Sequence, residues 1–284
     1  MNIAIASGKG GTGKTLIATS LSLSLGKDSQ FLDCDVEEPN GYIFLKPEIK
    51  KIEKIYVPKP KVNISKCKFC GLCSKVCHYN AISVIKPKNK VLFFYELCHS
   101  CGACSLVCPE NAIYEEEEEK GTVEIGTANG IFSFIQGKLK ISEASPTPII
   151  KAVKKYILKD KINIIDVSPG VSCPVVEAIK GADFCILVTE PTPFGLNDLI
   201  LAVEMTKKMG IPSGIIINRS DIGNNKVEEY AKKEGIPVLL SIPFKREIAV
   251  SYSKGVPLVN IFPEYIKKFK EVFKKIEEIL MNRK

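Results

Sequence analysis

Gly8-Lys9-Gly10-Gly11-Thr12-Gly13-Lys14-Thr15 is the stretch on which the reading of this chain turns. It matches G-x-x-x-x-G-K-T, a phosphate-binding loop, and it stands where that motif must stand, between a strand and a helix. Residues 1–6 before it read as a short buried strand, and residues 15–25 after it as a helix of small and apolar side chains. The glycines let backbone N–H groups approach phosphate oxygens, and the helix N-terminus adds partial positive charge. Lys14 would reach the outer phosphates of a nucleotide. The Thr15 hydroxyl would bind Mg2+, a hard ion that takes oxygen ligands.

Outward from the loop, strand-like and helix-like stretches alternate. Residues 31–33 end a second strand, and strands follow at 162–167, 184–189, 214–217 and 238–241. Helical patterns lie at 149–158, 196–208, 226–234 and 265–280. Such alternation implies an α/β fold, a mostly parallel sheet covered by helices on both faces. Residues 122–141 read as a small antiparallel meander. Polar residues stand at strand ends, Asp33-Cys34-Asp35, Asp166 and Asn218-Arg219, and Pro243 follows Ile242 at the end of another.

A second pattern interrupts the first. Eight of the eleven cysteines lie within residues 63–113. Cys67, Cys70, Cys73 and Cys77 fit C-x2-C-x2-C-x3-C, and Cys98, Cys101, Cys104 and Cys108 repeat it at an offset of 31 residues. The echo extends to Asn80-Ala81-Ile82 and Asn111-Ala112-Ile113, so the segment is an internal duplication. Clustered cysteines in a reducing compartment bind metal rather than pair as disulfides. Soft thiolates at this spacing suit iron–sulfur clusters, whereas zinc favours two separated C-x2-C pairs. In two-cluster ferredoxins the fourth cysteine of each run crosses to the other cluster. That rule assigns Cys67, Cys70, Cys73 and Cys108 to one 4Fe–4S cluster, and Cys98, Cys101, Cys104 and Cys77 to another. A Lys- and Pro-rich stretch at 46–62 precedes the module, and the acidic run 115–119 after it reads as a solvated edge strand or hinge. The expected organisation is one domain from residues 1–60 and 114–284, with a small α+β ferredoxin insert at 61–113.

The bulk numbers exclude several classes. With 45% hydrophobic and 25% charged residues the chain is a globular protein, and no apolar run approaches a membrane span. The net charge of +8 comes from lysines spread along the chain. They lack the aromatic interleaving of an RNA-binding surface, so no nucleic-acid partner is expected. Nothing in residues 1–6 looks like a leader, and a cytoplasmic location is expected.

Lys9, placed unusually early in the phosphate loop, resembles the deviant signature of the MinD, ParA, Mrp and nitrogenase iron protein group. The likeness extends to Leu32-Asp33-Cys34-Asp35-Val36-Glu37-Glu38-Pro39-Asn40, to Glu96-Leu97-Cys98-His99-Ser100-Cys101-Gly102, to Thr189-Glu190-Pro191-Thr192-Pro193-Phe194-Gly195 and to Ile217-Asn218-Arg219. The whole chain resembles MinD-superfamily P-loop ATPases with an inserted ferredoxin domain.

In that group the early lysine reaches across a dimer interface to the partner's nucleotide. The resemblance therefore implies an ATP-dependent sandwich, of two copies or of one copy with a related paralogue. It assigns catalysis to Lys9, Lys14 and Asp35, with Asp35 positioning the attacking water. It makes Asp166 the carboxylate that supports Mg2+ and Ser168-Pro169-Gly170 the second switch loop. It gives the phosphates to residues 8–15, that is Gly8, Lys9, Gly10, Gly11, Thr12, Gly13, Lys14 and Thr15, and the base to Asn218, Arg219 and Pro243. The implied cofactors are ATP, Mg2+ and two 4Fe–4S clusters.

Of the remaining cysteines, Cys34 and Cys185 read as core. Cys173 lies seven residues after Asp166, where the nitrogenase iron protein carries a cluster ligand at a similar distance. It reads as a structural or interface thiol, with a transient interface metal site as the alternative. His78, where bacterial ferredoxins usually place proline, and His99 read as packing groups or donors to cluster sulfur. The last helix aligns Ile266, Phe269, Phe273, Ile276 and Leu280 on one face. MinD itself uses such a helix on membranes. The mixed Glu and Lys opposite face here points instead to docking on the core, so no membrane partner is expected.

Three functions follow. The first is ATP-gated electron transfer to a redox or metalloprotein acceptor, in the setting of metalloenzyme or metallocluster maturation. The second is Mrp-like cluster assembly or carriage. The third, MinD-like scaffolding, leaves the two clusters without a purpose.

Overall fold

In β1, Asn2–Ala6, Ile3 and Ile5 point to one face of a sheet and Ala4 and Ala6 to the other, and all four are fully buried. A strand buried on both faces needs neighbours on both sides and helices above and below. The computed structural model, which describes residues 1–282, supplies them. The elements that follow are α1 (Lys14–Leu25), β2 (Ser29–Asp33), α2 (Gly41–Leu45), β3 (Glu48–Val62), α3 (Leu72–Val76), β4 (Ile82–Ile85) and β5 (Lys90–Phe93). Then come α4 (Ala103–Leu106), β6 (Ile113–Ala128), β7 (Phe132–Leu139), α5 (Thr147–Lys154), β8 (Ile162–Asp166), α6 (Cys173–Ile179), β9 (Phe184–Thr189) and α7 (Pro193–Lys208). The chain closes with β10 (Ser213–Asn218), α8 (Lys226–Glu234), β11 (Val238–Ile242), α9 (Arg246–Ser253), α10 (Leu258–Ile261) and α11 (Glu264–Met281).

Nine strands form one sheet in the order β11-β10-β9-β1-β8-β2-β7-β6-β3. From β11 to β7 every pairing is parallel. One face packs on α5, α6, α7 and α8, the other on α1, α9, α10 and α11. This is the expected α/β architecture. The carboxyl ends of β1, β2, β8 and β10 bring Ala6, Asp33, Asp166 and Asn218 to one rim, where ligands of open parallel sheets bind.

The far edge departs from the expectation of a separate meander. β6 and β7 do form a hairpin through Asn129 and Gly130, but β7 pairs parallel with β2 and so joins the main sheet. The Lys- and Pro-rich stretch is itself strand β3, paired antiparallel with β6 along its whole length. Pro58 and Pro60 are tolerated because β3 is an edge strand and needs no donor on its outer side. β6 leaves β7 at Gly121, and the pairs Tyr56↔Glu119 to Val62↔Ile113 continue alone. At about 3.3 Å per residue these form an arm of about 20 Å beyond the sheet. The acidic run lies on it and pairs diagonally with lysines of β3, Lys61–Glu118 at 2.6 Å and Lys54–Glu119 at 2.8 Å. Residues 63–112 sit at its tip, with the hairpin β4-β5 and the short helices α3 and α4.

α11 docks on α1 and β11. Its buried stripe is Tyr265, Phe269, Val272 and Ile276, with Phe273 and Leu280 packed at its margin. Ile266 is exposed, because one residue beyond Tyr265 rotates it about 100° off the stripe. No helix among the described residues is long and apolar enough to cross a membrane. Phe269 is fully buried, so Phe269→Ala is expected to cost about 3–5 kcal/mol in denaturant unfolding. A helix not docked on the core would show almost no loss.

Candidate nucleotide site and cysteine module

The phosphate loop joins β1 to α1 and is held from several sides. The Ser7 hydroxyl donates to Lys9 O at 2.6 Å, Gly170 N donates to Ser7 O at 2.9 Å, and Asn218 Nδ2 donates to Thr12 O at 2.9 Å. Gly13 caps α1 with φ +98°, and a Cβ there would meet Asn218 Nδ2 at 2.6 Å. Gly13→Ala is therefore expected to cost at least about 1–2 kcal/mol of backbone strain. It should also push Asn218 off the loop, lowering both the melting temperature and the affinity for a fluorescent ATP analogue. A wild-type melting curve would count against this geometry.

A cavity of about 690 Å3 opens above the loop. Gly10, Gly11, Gly13, Lys14 and Thr15 line its phosphate end, Asp35 and Ser168 one wall, and Asn218, Arg219 and Pro243 the other. Gly8, Lys9, Thr12 and Asp166 are not on the wall. Gly8 packs so closely on α7 that a Cβ would meet Asp198 O at 2.1 Å. Thr12 is buried, and its hydroxyl has no partner. Asp166 lies just beneath the wall, where its Oδ2 accepts from the Thr15 hydroxyl at 2.7 Å. Its buried Oδ1 has no partner. A carboxylate oxygen left bare beside a threonine hydroxyl fits a hydrated Mg2+, which would supply the missing charge.

Three aspartates crowd this rim. Burial raises Asp33 and Asp166 above the usual carboxylate range. The Asp166 charge pushes Asp33 further up, while the Thr15 hydroxyl and the Lys14 ammonium pull Asp166 back. Asp35 is also raised by burial, against a lowering hydrogen bond in which Ser168 Oγ donates to its Oδ1 at 3.0 Å. Acids this close also repel one another, and a cation between them would draw all three down.

Several partners escaped the sequence. Lys9 Nζ lies 3.7 Å from Glu190 Oε2, and Arg219 Nη1 lies 2.8 Å from Glu190 Oε1. Glu190 is buried at the end of β9. An acidic residue directly after an apolar strand was the signal available. Lys245, Ile248, Ala249 and Tyr252 of α9 and its approach extend the cavity beyond Pro243. An amphipathic helix this far from the loop carries no motif.

The cysteines occupy two separate pockets at the tip of the arm. One is lined by Cys67, Cys70, Cys73 and Cys108, the other by Cys77, Cys98, Cys101 and Cys104. Pro60 and Glu115 line the second and Val62 and Ile113 the first, so the second lies nearer the sheet. The duplication is also geometric. Left-handed Phe69, Gly71 and Asn80 recur as Ser100, Gly102 and Asn111. Ala81 N donates to Cys77 Sγ at 3.2 Å, and Ala112 N to Cys108 Sγ at 3.3 Å. Among the described residues no three His, Cys, Asp or Glu side chains converge on a point for a single ion. His99 stacks on Tyr79 with centroids 3.7 Å apart, and His78 meets the same ring edge-on. Burial, then the ammoniums of Lys120 and Lys59, hold His99 below its usual value.

Cys34 and Cys185 are fully buried, and Cys173 is exposed at the start of α6.

Comparison with known proteins agrees with the rim chemistry. Residues 3–258 match the sequence profile of the CobQ/CobB/MinD/ParA nucleotide binding domain. The chain is 34% identical to protein MJ0578 of Methanocaldococcus jannaschii, over 99% of this chain and 98% of that one. An iron-sulfur cluster carrier protein of the same organism is 27% identical over 58% of this chain and 66% of its own length. The fold is similar to that of the septum site-determining protein MinD of Pyrococcus horikoshii in complex with Mg-ADP, with a TM-score of 0.60 and 20% identity over 98% of this chain and 96% of that one. A phosphate loop at the head of a parallel sheet, with the profile match across nearly the whole chain, places the protein in the CobQ/CobB/MinD/ParA family of P-loop ATPases.

Proposed function

We propose that this ATPase is a dimer that couples its nucleotide cycle to electron transfer through two 4Fe–4S clusters held by residues 61–113. One observation carries the reading: Cys108 joins Cys67, Cys70 and Cys73, while Cys77 joins Cys98, Cys101 and Cys104. That crossed division gives each pocket four thiols, the donor set of a closed cubane. The donors fit in other ways. Backbone amides of Phe69, Ala81 and Ala112 point at Cys67, Cys77 and Cys108 Sγ, stabilising thiolate charge. Ile82, Ile113, Val91 and Phe93 form an apolar core against the sulfurs. Bound there, such clusters supply one-electron redox chemistry.

On the ATPase side, Lys14 and the loop amides hold the phosphates, and Thr15 with Asp166 holds Mg2+. Asp35, fixed by Ser168, orients the attacking water. Lys9 serves the nucleotide of the partner protomer, which is a second copy or a paralogue. Asn218, Arg219 and Pro243 bound the base. A chain of contacts supports coupling: Val36, next to Asp35, accepts from Leu139 N at 2.8 Å, and the loop after β7 reaches the foot of the arm. Two clusters closed by protein thiolates act as a relay rather than as cargo. The acceptor is a redox enzyme or a metalloprotein under assembly.

A second reading, cluster carriage, draws on the similarity to iron-sulfur cluster carrier proteins. Anaerobic reconstitution separates the two. About eight irons and eight sulfides per chain that stay bound beside an apo-acceptor support the relay. Transfer of iron and sulfide to that acceptor supports carriage, and a chain that binds only zinc overturns both.

A further inference from the structure

The arm carries two buried lysines around one carboxylate. Lys59 of β3 has no exposed side-chain surface, and Lys120 of β6 has 2%. Lys59 Nζ lies 3.0 Å and Lys120 Nζ 2.8 Å from the same Glu143 Oε2. Lys120 also donates to Ala144 O, and Lys59 to Tyr95 O at 3.3 Å. The carboxylate neutralises one ammonium and leaves one buried positive charge in excess. Buried charge is screened far less than surface charge. It lies on the side of the second cysteine pocket: Lys59 donates to the carbonyl of Tyr95, three residues before Cys98, and both ammoniums act on His99, which lines that pocket. Glu115 on the same wall is exposed and accepts from the Ser105 hydroxyl at 2.9 Å, so water screens its charge. Around the first pocket the matching pair is Lys68–Glu110 at 2.7 Å, with Lys68 72% exposed.

We propose that Lys59 and Lys120 make the cluster of the Cys77, Cys98, Cys101 and Cys104 pocket the higher-potential member of the pair, so that an electron entering the insert comes to rest on the side of the ATPase sheet. The inference rests on the two-cluster reading above. Each one-electron reduction adds one negative charge to a cluster, and a buried cation stabilises the reduced form over the oxidised one. Neither lysine is on the wall of a cysteine pocket, and both lie on the side of the nearer one. The transfer itself is the loss of one electron by the outer cluster and its gain by the inner one, with no bond or proton changed. The outer cluster is refilled by an external one-electron donor. The two lysines are positioning charges, and the cysteines remain the ligands.

An EPR-monitored redox titration of the full chain tests this, with iron and sulfide counted first. The expected wild-type result is two resolved one-electron midpoints. Lys120→Met and Lys59→Met each leave Glu143 paired with the other lysine, so neither strands a buried charge. Each is expected to lower the higher midpoint alone, by at least a tenfold change in the reduced-to-oxidised ratio, about 59 mV for a one-electron couple. Lys120→Arg, which keeps the charge, should hold the higher midpoint near its wild-type value, and Lys68→Met should leave both midpoints in place. A merely structural role would change iron content or melting temperature without moving one midpoint selectively. Full iron content with coincident wild-type midpoints, or with lysine variants that move neither or both equally, overturns the inference. An iron count well below about eight overturns instead the two-cluster reading on which it rests. Should either methionine variant fail to load clusters, the wild-type midpoints and the other variant still decide.

Discussion

Lys9→Ala is expected to lower ATP turnover by about three orders of magnitude, while Mg-ATP binding changes only a few-fold. A cation brought to a transferring phosphoryl group across an interface contributes a factor of about 10³–10⁵ to the rate. On the proposed reading Lys9 serves the partner's site rather than its own. Its ammonium stands beside Glu190 and off the cavity wall, whereas Lys14 lines the cavity. Lys14→Ala should therefore lose binding and turnover together. The split between the two lysines is the signature to look for in kcat against KM. Mixing gives a sharper check. Lys9→Ala and Asp35→Ala should each be inactive alone, yet turn over ATP when combined. In the mixed dimer one site keeps its own Asp35 and receives Lys9 from the other protomer. If Lys9 acted within its own subunit, mixing would restore nothing.

The second large effect concerns the cysteines. Under crossed ligation Cys70 and Cys108 hold the same cluster, and Cys70 and Cys77 hold different ones. Cys70→Ala/Cys108→Ala should retain about four irons and one EPR signal, while Cys70→Ala/Cys77→Ala should lose nearly all iron. Ligation within each run would reverse the two outcomes. The effect should reach the fold of the insert, where Ile82, Cys104 and Ile113 are the only members of its buried apolar cluster among the described residues. On the two-cluster reading, a core that small leaves much of the module's folding free energy to the clusters. Circular dichroism of the second double variant should show loss of the β4-β5 hairpin while the main sheet persists.

What could be read from the residues, and what could not, follows from the range of the interactions. The phosphate loop and the cysteine runs were legible because their chemistry is local: a few glycines and a lysine, or thiols at fixed spacing, carry it alone. The order of strand ends was legible for a related reason. An apolar parallel strand that ends in a polar residue delivers it to the carboxyl rim of the sheet, which marked Asp166 and Asn218. Only half of the arm was legible: the acidic run read as an edge strand or hinge, while the stretch before the insert read as a boundary, because Lys and Pro are poor strand formers. Residues 56–62 and 113–119 become strands through their pairing with each other, with diagonal Lys–Glu ion pairs across them, which neither shows alone. Glu190 and the Lys59–Glu143–Lys120 group were hidden for the same reason. Their partners lie between 23 and 181 residues away, and charge pairing across such separations leaves no periodicity. Ile266 was misplaced by helical phase: the stripe is set by the partner surface of α1 and β11, not by which apolar residues the helix carries.

The claim that joins the two halves of the molecule is that the nucleotide state changes the clusters. The most direct measurement is an anaerobic EPR-monitored redox titration of the reconstituted protein in three states: without nucleotide, with Mg-ADP, and with Mg and a non-hydrolysable ATP analogue. The expected result is a midpoint or line shape that differs between the ADP and ATP-analogue states, since a ligand can gate a cluster only by favouring one conformation over another. Two fully loaded clusters with the same midpoints and spectra in all three states, in protein shown to bind the nucleotides, would contradict it.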